Sequence, residues 1–154
     1  DCVPVLVVDT ARRIVAAFHA GWRGTVARIV EHGVTRLQHE FGSRPESLMA
    51  AVGPSIGACC YIVGAEVHGA FHTNFHYAGD LFQPAPGRAQ YTLDLWEANR
   101  RQLVAAGVPV ERITVLGECS GCAGLPGERR YFSHRVENGF TGRMMSVVGV
   151  DATH

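Results

Sequence analysis

Cys2 and His19 bracket two consecutive apolar runs: Cys2 opens the first and His19 closes the second. Arg23 follows in the stretch His19-Ala20-Gly21-Trp22-Arg23-Gly24, just ahead of a helical pattern. A thiolate and an imidazole suit zinc, which in catalytic sites takes three protein ligands and a water that becomes a nucleophile near neutral pH. The same two groups serve equally as a thiolate nucleophile and its general base. An arginine beside a helix start makes a forked receptor for phosphate or carboxylate, with Gly24 and Thr25 supplying backbone donors. A structural cysteine, an unrelated strand-end histidine and a surface arginine would show the same spacing, so the pattern nominates residues without choosing among these chemistries.

The flanking elements decide whether these groups meet. Residues 2–8 are valine-rich and end at Asp9-Thr10, which predicts a buried strand; residues 14–19 predict a second after a turn at Arg12-Arg13. So short a connection predicts a hairpin, and antiparallel pairing would bring Cys2 and His19 to one end of it. Thr25 is the predicted N-cap of a helix carrying Val26, Ile29, Val30, Val34, Leu37 and Phe41, with Gly42 as its stop. Residues 48–52 predict a strand running into the Gly53-Pro54-Ser55-Ile56-Gly57 loop, which lacks the lysine and spacing of a P-loop. Further helices are expected over 65–75 and 94–106, a strand over 112–116, and a strand or helix start over 143–150. Residues 77–90 read as a loop and 117–130 as irregular. Strands and helices alternate without a βαβ rhythm, so the expected class is α/β (α+β): mixed sheets packed as a sandwich with outer helices.

Composition narrows the function. A chain of 154 residues, 47% apolar and 18% charged, has material for one domain with its own core. Zero formal net charge gives no footprint for nucleic acid or a membrane surface. No apolar run approaches the ~18 residues of a membrane span. These residues include no lysine, which removes Schiff-base chemistry from their repertoire. Five cysteines, an odd number, with no secretory segment, point to a reducing, cytoplasmic compartment. The first residues already read as a strand and no initiator Met precedes them, so the chain is expected to be the C-terminal part of a longer one.

Other clusters carry weaker signals. Cys119-Ser120-Gly121-Cys122 has the form of half a zinc site or a redox pair, but the remaining pair, Cys59-Cys60, is adjacent; on spacing, a structural zinc is not expected. His32, His39, His68, His72 and His76 read as solvated helix-face residues, and the 68/72/76 series lacks the glutamate of a H-E-x-x-H site. Phe132-Ser133-His134-Arg135 and Thr141-Gly142-Arg143 add arginines able to meet an anion.

The ordered set Asp1-Cys2-Val3-Pro4, HAGWRG at 19–24, GPSIGACCYIVG at 53–64, LDLWEANRRQL at 93–103, Cys119, FSHR at 132–135 and TGR at 141–143 resembles the YfiH-type family, also labelled polyphenol oxidase or multicopper laccase domain. The resemblance covers essentially the whole chain. It implies a mixed α/β sandwich related to bacterial Cys-His deamidases and a zinc ion held by two histidines and one cysteine. It also implies phosphorolysis of adenosine, inosine or methylthioadenosine and deamination of adenosine; an older family label implies copper-dependent oxidation of phenols. Carried over by motif, Cys2 and His19 are metal ligands, with the third, a histidine, expected upstream of this chain. Cys2, His19 and Arg23 become the catalytic candidates; Arg23, Gly24, Thr25 and Arg143 become those for phosphate. The implied partners are a purine nucleoside and phosphate, not nucleic acid or membrane. Two positions depart from the family pattern: Ile62 replaces a usual glutamate and His134 a usual tyrosine. Three enzymatic readings follow: a zinc-dependent purine nucleoside phosphorylase and adenosine deaminase, a copper oxidase, and a metal-free Cys-His hydrolase or deamidase. A binding module without turnover is a fourth reading. The copper reading lacks the close-set H-x-H or H-C-H histidines that multicopper chemistry uses.

Overall fold

Alternating side chains build the central strand. In β1 (Val3–Asp9) Val3, Val5 and Val7 are fully buried, while Pro4 and Leu6 point to the opposite face. The computed structural model describes residues 1–125 and 127–151. It pairs β1 antiparallel with β2 (Ile14–Ala20), setting Pro4 opposite His19 and Asp9 opposite Ile14, so the expected hairpin forms. The chain continues through α1 (Trp22–Val26), α2 (Ile29–Phe41), β3 (Met49–Val52), β4 (Ile62–Val63) and α3 (Ala65–Asn74). Next come β5 (Phe82–Pro84), β6 (Tyr91–Leu93), α4 (Leu95–Ala105), β7 (Ile113–Val115), β8 (Gly124–Leu125) and β9 (Glu128–Arg129). Four strands form the main sheet in the order β2-β1-β3-β7, with only β3 and β7 parallel. A second sheet runs β4-β6-β5, and β8-β9 is a two-residue ribbon. The architecture is mixed α/β, with several sheets and few helices.

One face of the main sheet is core. Val30, Val34 and Leu37 form the buried stripe of α2, and Leu95, Ala98 and Leu103 that of α4. Gly33 lets α2 lie close on β2: a Cβ there would fall 2.3 Å from the Phe18 ring. Gly42 ends α2 in the left-handed region (φ +67), its N–H donating to Gln38 O at 3.0 Å while Ser43 N–H reaches Leu37 O at 3.1 Å. Asp94 caps α4, its carboxylate accepting from Glu97 N–H at 2.9 Å.

Four expectations need correction. Thr25 is not an N-cap: the cap is Gly21, and Thr25 lies inside α1, fully buried. Nor is there one long helix, because Arg28 adopts φ 56, ψ 38 between α1 and α2. Its guanidinium is taken up by Glu31 Oε1 at 2.7 Å and, across the fold, by Asn74 O at 2.9 Å and the Phe75 ring at 4.9 Å, the last two being tertiary contacts that local helical spacing does not register. Residues 77–90 are not all loop, since Ala78–Leu81 forms a 3-10 turn and β5 pairs with β6. Residues 143–150 form neither strand nor helix; this apolar run finds no partner edge among the described residues.

Candidate active site

The pleat of the hairpin creates the site. The face of β1 and β2 turned away from the core carries Pro4, Leu6, Ala17 and His19, with Cys2 one step before β1 in the same alternation. All five line a cavity of ≈ 670 Å³ that segment 141–146 also lines. Since Pro4 stands opposite His19, Cys2 is the diagonal neighbour of the imidazole. Gly21 shows how near they come: a Cβ there would sit 2.8 Å from Cys2 Sγ and 4.0 Å from His19 Nε2. The bare Cα of Gly21 thus leaves a small cradle faced by a sulfur and a ring nitrogen, both on exposed residues. That donor pair fits a soft or borderline metal such as zinc. Among the described residues no third His, Cys, Asp or Glu completes a set with these two.

A second cavity, ≈ 250 Å³, adjoins the same pair. Gly21, Trp22, Arg23, Gly24 and Leu95 line it, and Asp1, Cys2, His19, Ile56 and Tyr61 line both cavities. The thiol and imidazole therefore stand at the junction of two chambers.

Arg23 stacks on Trp22 at 4.2 Å and approaches Glu66 Oε1 at only 4.0 Å. Both ends of that ion pair are more than three-quarters exposed, so water screens it and the guanidinium is available to an anion. Gly24 lies beside it, so close to β2 that a Cβ would meet His19 O at 3.1 Å. Thr25 lines neither cavity. Its hydroxyl oxygen accepts from Asn99 Nδ2 at 3.1 Å and its carbonyl from Gln102 Nε2 at 2.7 Å, so Thr25 ties α1 to α4. Arg143 is on the larger cavity, its Nη1 donating to Gly142 O at 3.0 Å.

Several site residues escaped the sequence reading. Asp1 is the main one: its carboxylate accepts from Ser120 Oγ at 2.6 Å, Ser133 Oγ at 2.7 Å and Arg135 N–H at 2.8 Å. Three donors from two distant loops thereby fix the residue before Cys2. Tyr61 walls both cavities beneath the Arg135 guanidinium at 5.1 Å; burial pushes its phenol upward in pKa against the pull of Arg135. Its place directly after two cysteines in a turn was the available signal. Ile62, the departure from the family pattern, is outside both linings; it pairs with Thr92, and its carbonyl accepts from Arg135. His134 lines the larger cavity. Of the helix-face histidines, His68 is not simply solvated: it stacks on Tyr91 at 4.0 Å, and desolvation followed by His72 lowers its pKa.

Four of the five cysteines converge. Cys59, Cys60, Cys119 and Cys122 bring their sulfurs within 4.8 Å of one another, so this cluster has the donors to hold a metal ion. Spacing misled here because Cys60 N–H and Tyr61 N–H both return to Gly57 O, at 3.0 and 2.9 Å, closing a turn that presents adjacent cysteines to one point. Burial opposes ionisation of Cys119, but N–H donors from Gly57 and Gly121, joined by hydrogen bonds from Cys59 and Cys122, bring the thiol down to about 7. Desolvation, with Cys122 and Cys119 adding to it, pushes Cys60 up to about 11.

A mixed α/β scaffold with a cysteine and a histidine converging at the end of a hairpin defines the class. The model of the family described as multi-copper polyphenol oxidoreductase laccase matches residues 1–151, and the chain belongs to that family. It is 40% identical over 149 residues to purine nucleoside phosphorylase YlmD of Geobacillus stearothermophilus, covering 97% of this chain and 53% of that protein. It is 43% identical over 122 residues to adenosine deaminase RL5 from an unknown prokaryotic organism, covering 79% of this chain and 46% of that one. The crystal structure of the Bacillus licheniformis hypothetical protein YfiH superposes with a TM-score of 0.81 at 36% identity, over 90% of this chain and 51% of that chain. The chain thus spans about half the length of the relatives it matches.

Proposed function

We propose that these residues form one unit of a zinc-dependent enzyme acting on purine nucleosides, by phosphorolysis of adenosine, inosine or methylthioadenosine and by deamination of adenosine. The observation that carries this reading is the convergence of Cys2 Sγ and His19 Nε2 over Gly21, at the junction of the two cavities. The names of the relatives, a phosphorylase and a deaminase, support the substrate class. Cys2 and His19 would hold the zinc together with a ligand from outside the described residues. Zinc, when bound, supplies Lewis acidity to both reactions.

The protein's own residues bind and orient. Trp22, Ile56 and Tyr61 offer apolar and aromatic walls to a purine. Arg23, with Gly24 beside it, holds phosphate by a charge-assisted fork. Arg143 meets an anionic or hydroxylated group in the larger chamber. In phosphorolysis a phosphate oxygen bonds to the anomeric carbon as the C–N bond breaks; the departing purine carries the electron pair and takes up a proton. In deamination water replaces the exocyclic amine, which leaves as ammonia. A reducing, cytoplasmic setting suits the odd number of cysteines.

Product analysis on adenosine with the full-length protein tests this. Adenine and ribose 1-phosphate are expected with phosphate present, and inosine without it, with both activities lost in Cys2→Ser and His19→Ala. Turnover unchanged in those variants overturns the reading. Turnover that resists chelators but is abolished by thiol alkylation transfers it to the metal-free Cys-His hydrolase.

A further inference from the structure

We propose that Cys59, Cys60, Cys119 and Cys122 bind a single zinc ion as a closed tetrathiolate, separate from the Cys2–His19 site. Zinc–sulfur bonds of about 2.3 Å place the corners of a tetrahedron roughly 3.8 Å apart. The four sulfurs already lie within 4.8 Å of one another, and Cys59 and Cys122 are at 3.5 Å. A slight contraction around one ion meets that geometry. An iron–sulfur cluster needs its thiolates spread around several metal atoms, a wider arrangement than this one.

The surrounding backbone is shaped for the same purpose. Gly57 N–H and Gly121 N–H both donate to Cys119 Sγ, at 3.2 and 3.3 Å, as donors around metal-bound thiolates do. The Gly121 donor lies only two residues beyond its acceptor, so the loop wraps the sulfur. Gly121 also leaves the room that Cys60 occupies: a Cβ there would fall 3.0 Å from Cys60 Cβ and 3.1 Å from its Sγ. The two ligand-bearing loops are already joined, with Ser55 N–H donating to Glu118 O at 3.2 Å and Ser120 N–H to Ser55 O at 2.9 Å. On binding, four thiols release four protons and the site carries two net negative charges, partly offset by these N–H groups.

Four protein ligands leave no open position, so the ion is structural. Its loops carry Ile56 and Tyr61 on one side and Ser120, which holds Asp1, on the other. The zinc therefore braces the wall against which Cys2 is set.

Elemental analysis and cobalt substitution of the full-length protein, purified under anaerobic conditions, test the site. The unmodified protein should show a cobalt absorption spectrum with the intensity of four thiolate ligands. The Cys59→Ser, Cys122→Ser double variant should lose that spectrum together with one equivalent of zinc, while Cys2→Ser, which removes a ligand of the other site, keeps the spectrum. A cobalt spectrum lacking tetrathiolate character in the unmodified protein overturns the proposal, whether or not the double variant folds. So does a Cys59–Cys122 disulfide found by mass spectrometry in the anaerobic protein. Cys2 and His19 variants judge the enzymatic reading separately, so either proposal can fail alone.

Discussion

Cys2 and Cys119 are the chain neighbours of Asp1 and Ser120, which are hydrogen-bonded to each other, and the protein treats them in opposite ways. Cys2 is exposed at the end of a strand, with one imidazole nearby and two cavities open to it. Cys119 is buried in a loop, receives two backbone N–H donors and is surrounded by three further thiols. An incomplete, accessible donor set is what a reacting site needs, because substrate must reach it. A saturated set leaves nothing to react and serves to hold chain segments together. On the two proposals made above, position relative to the sheet, not residue type, separates a chemical role from a structural one.

The sharpest way to break that contrast is to remove the open donors. Cys2→Ser and His19→Ala should each lower nucleoside turnover by more than about a hundredfold, since even outer-shell changes around metal ligands reach that range. Both residues are exposed, so chemical denaturation of the metal-free proteins should detect a change within about 0.5 kcal/mol. Gly21→Ala comes next. Its methyl would press on Cys2 Sγ from 2.8 Å, and zinc affinity at the open site should fall roughly tenfold or more, read by chelator competition.

The scaffold behind the open site should respond in stability. Asn99→Ala removes the donor to Thr25 Oγ1 and Leu95 O in a buried position. A loss of about 1–3 kcal/mol is expected in urea denaturation, with α1 loosened and zinc retention by the cysteine cluster unchanged.

The smallest effect lies at a residue that lines neither cavity and is not among the clustered cysteines, and it serves as their control. Glu97 is held at about 2 by hydrogen bonds from Arg100, against desolvation, with Arg101 adding to the depression. A carboxylate depressed on folding contributes stability that is present above its ordinary value of 4.5 and is lost as pH falls towards 2. Glu97→Gln should flatten stability against pH within that window and leave the cobalt spectrum untouched. An unchanged acid limb would show that the Arg100–Glu97–Arg101 cluster contributes nothing to acid stability.

Much of the open site was legible because it depends on local rules. Alternation in β1 and a short turn are sufficient to bring Cys2 and His19 to one end of a hairpin, since pleat and register follow from near neighbours. The cysteine cluster was illegible for the converse reason. Spacing rules assume that a metal pair comes from one regular knuckle, whereas Cys59 and Cys60 are aligned by a turn closed on Gly57 and meet partners some sixty positions away. Thr25 failed similarly: a hydroxyl ahead of a helical pattern resembles a cap, but Asn99 and Gln102 reach it from α4 and draw it into the interior.

Residue order alone therefore determined the hairpin, the buried valine face and the presence of a thiol and an imidazole at its end, because each follows from interactions within a few residues. Tertiary structure decided that Asp1 would be clasped by two remote loops, that Tyr61 would wall both chambers and that four cysteines would share one point. Those outcomes rest on contacts between segments far apart in the chain, whose free energy appears only when the sheets and helices pack.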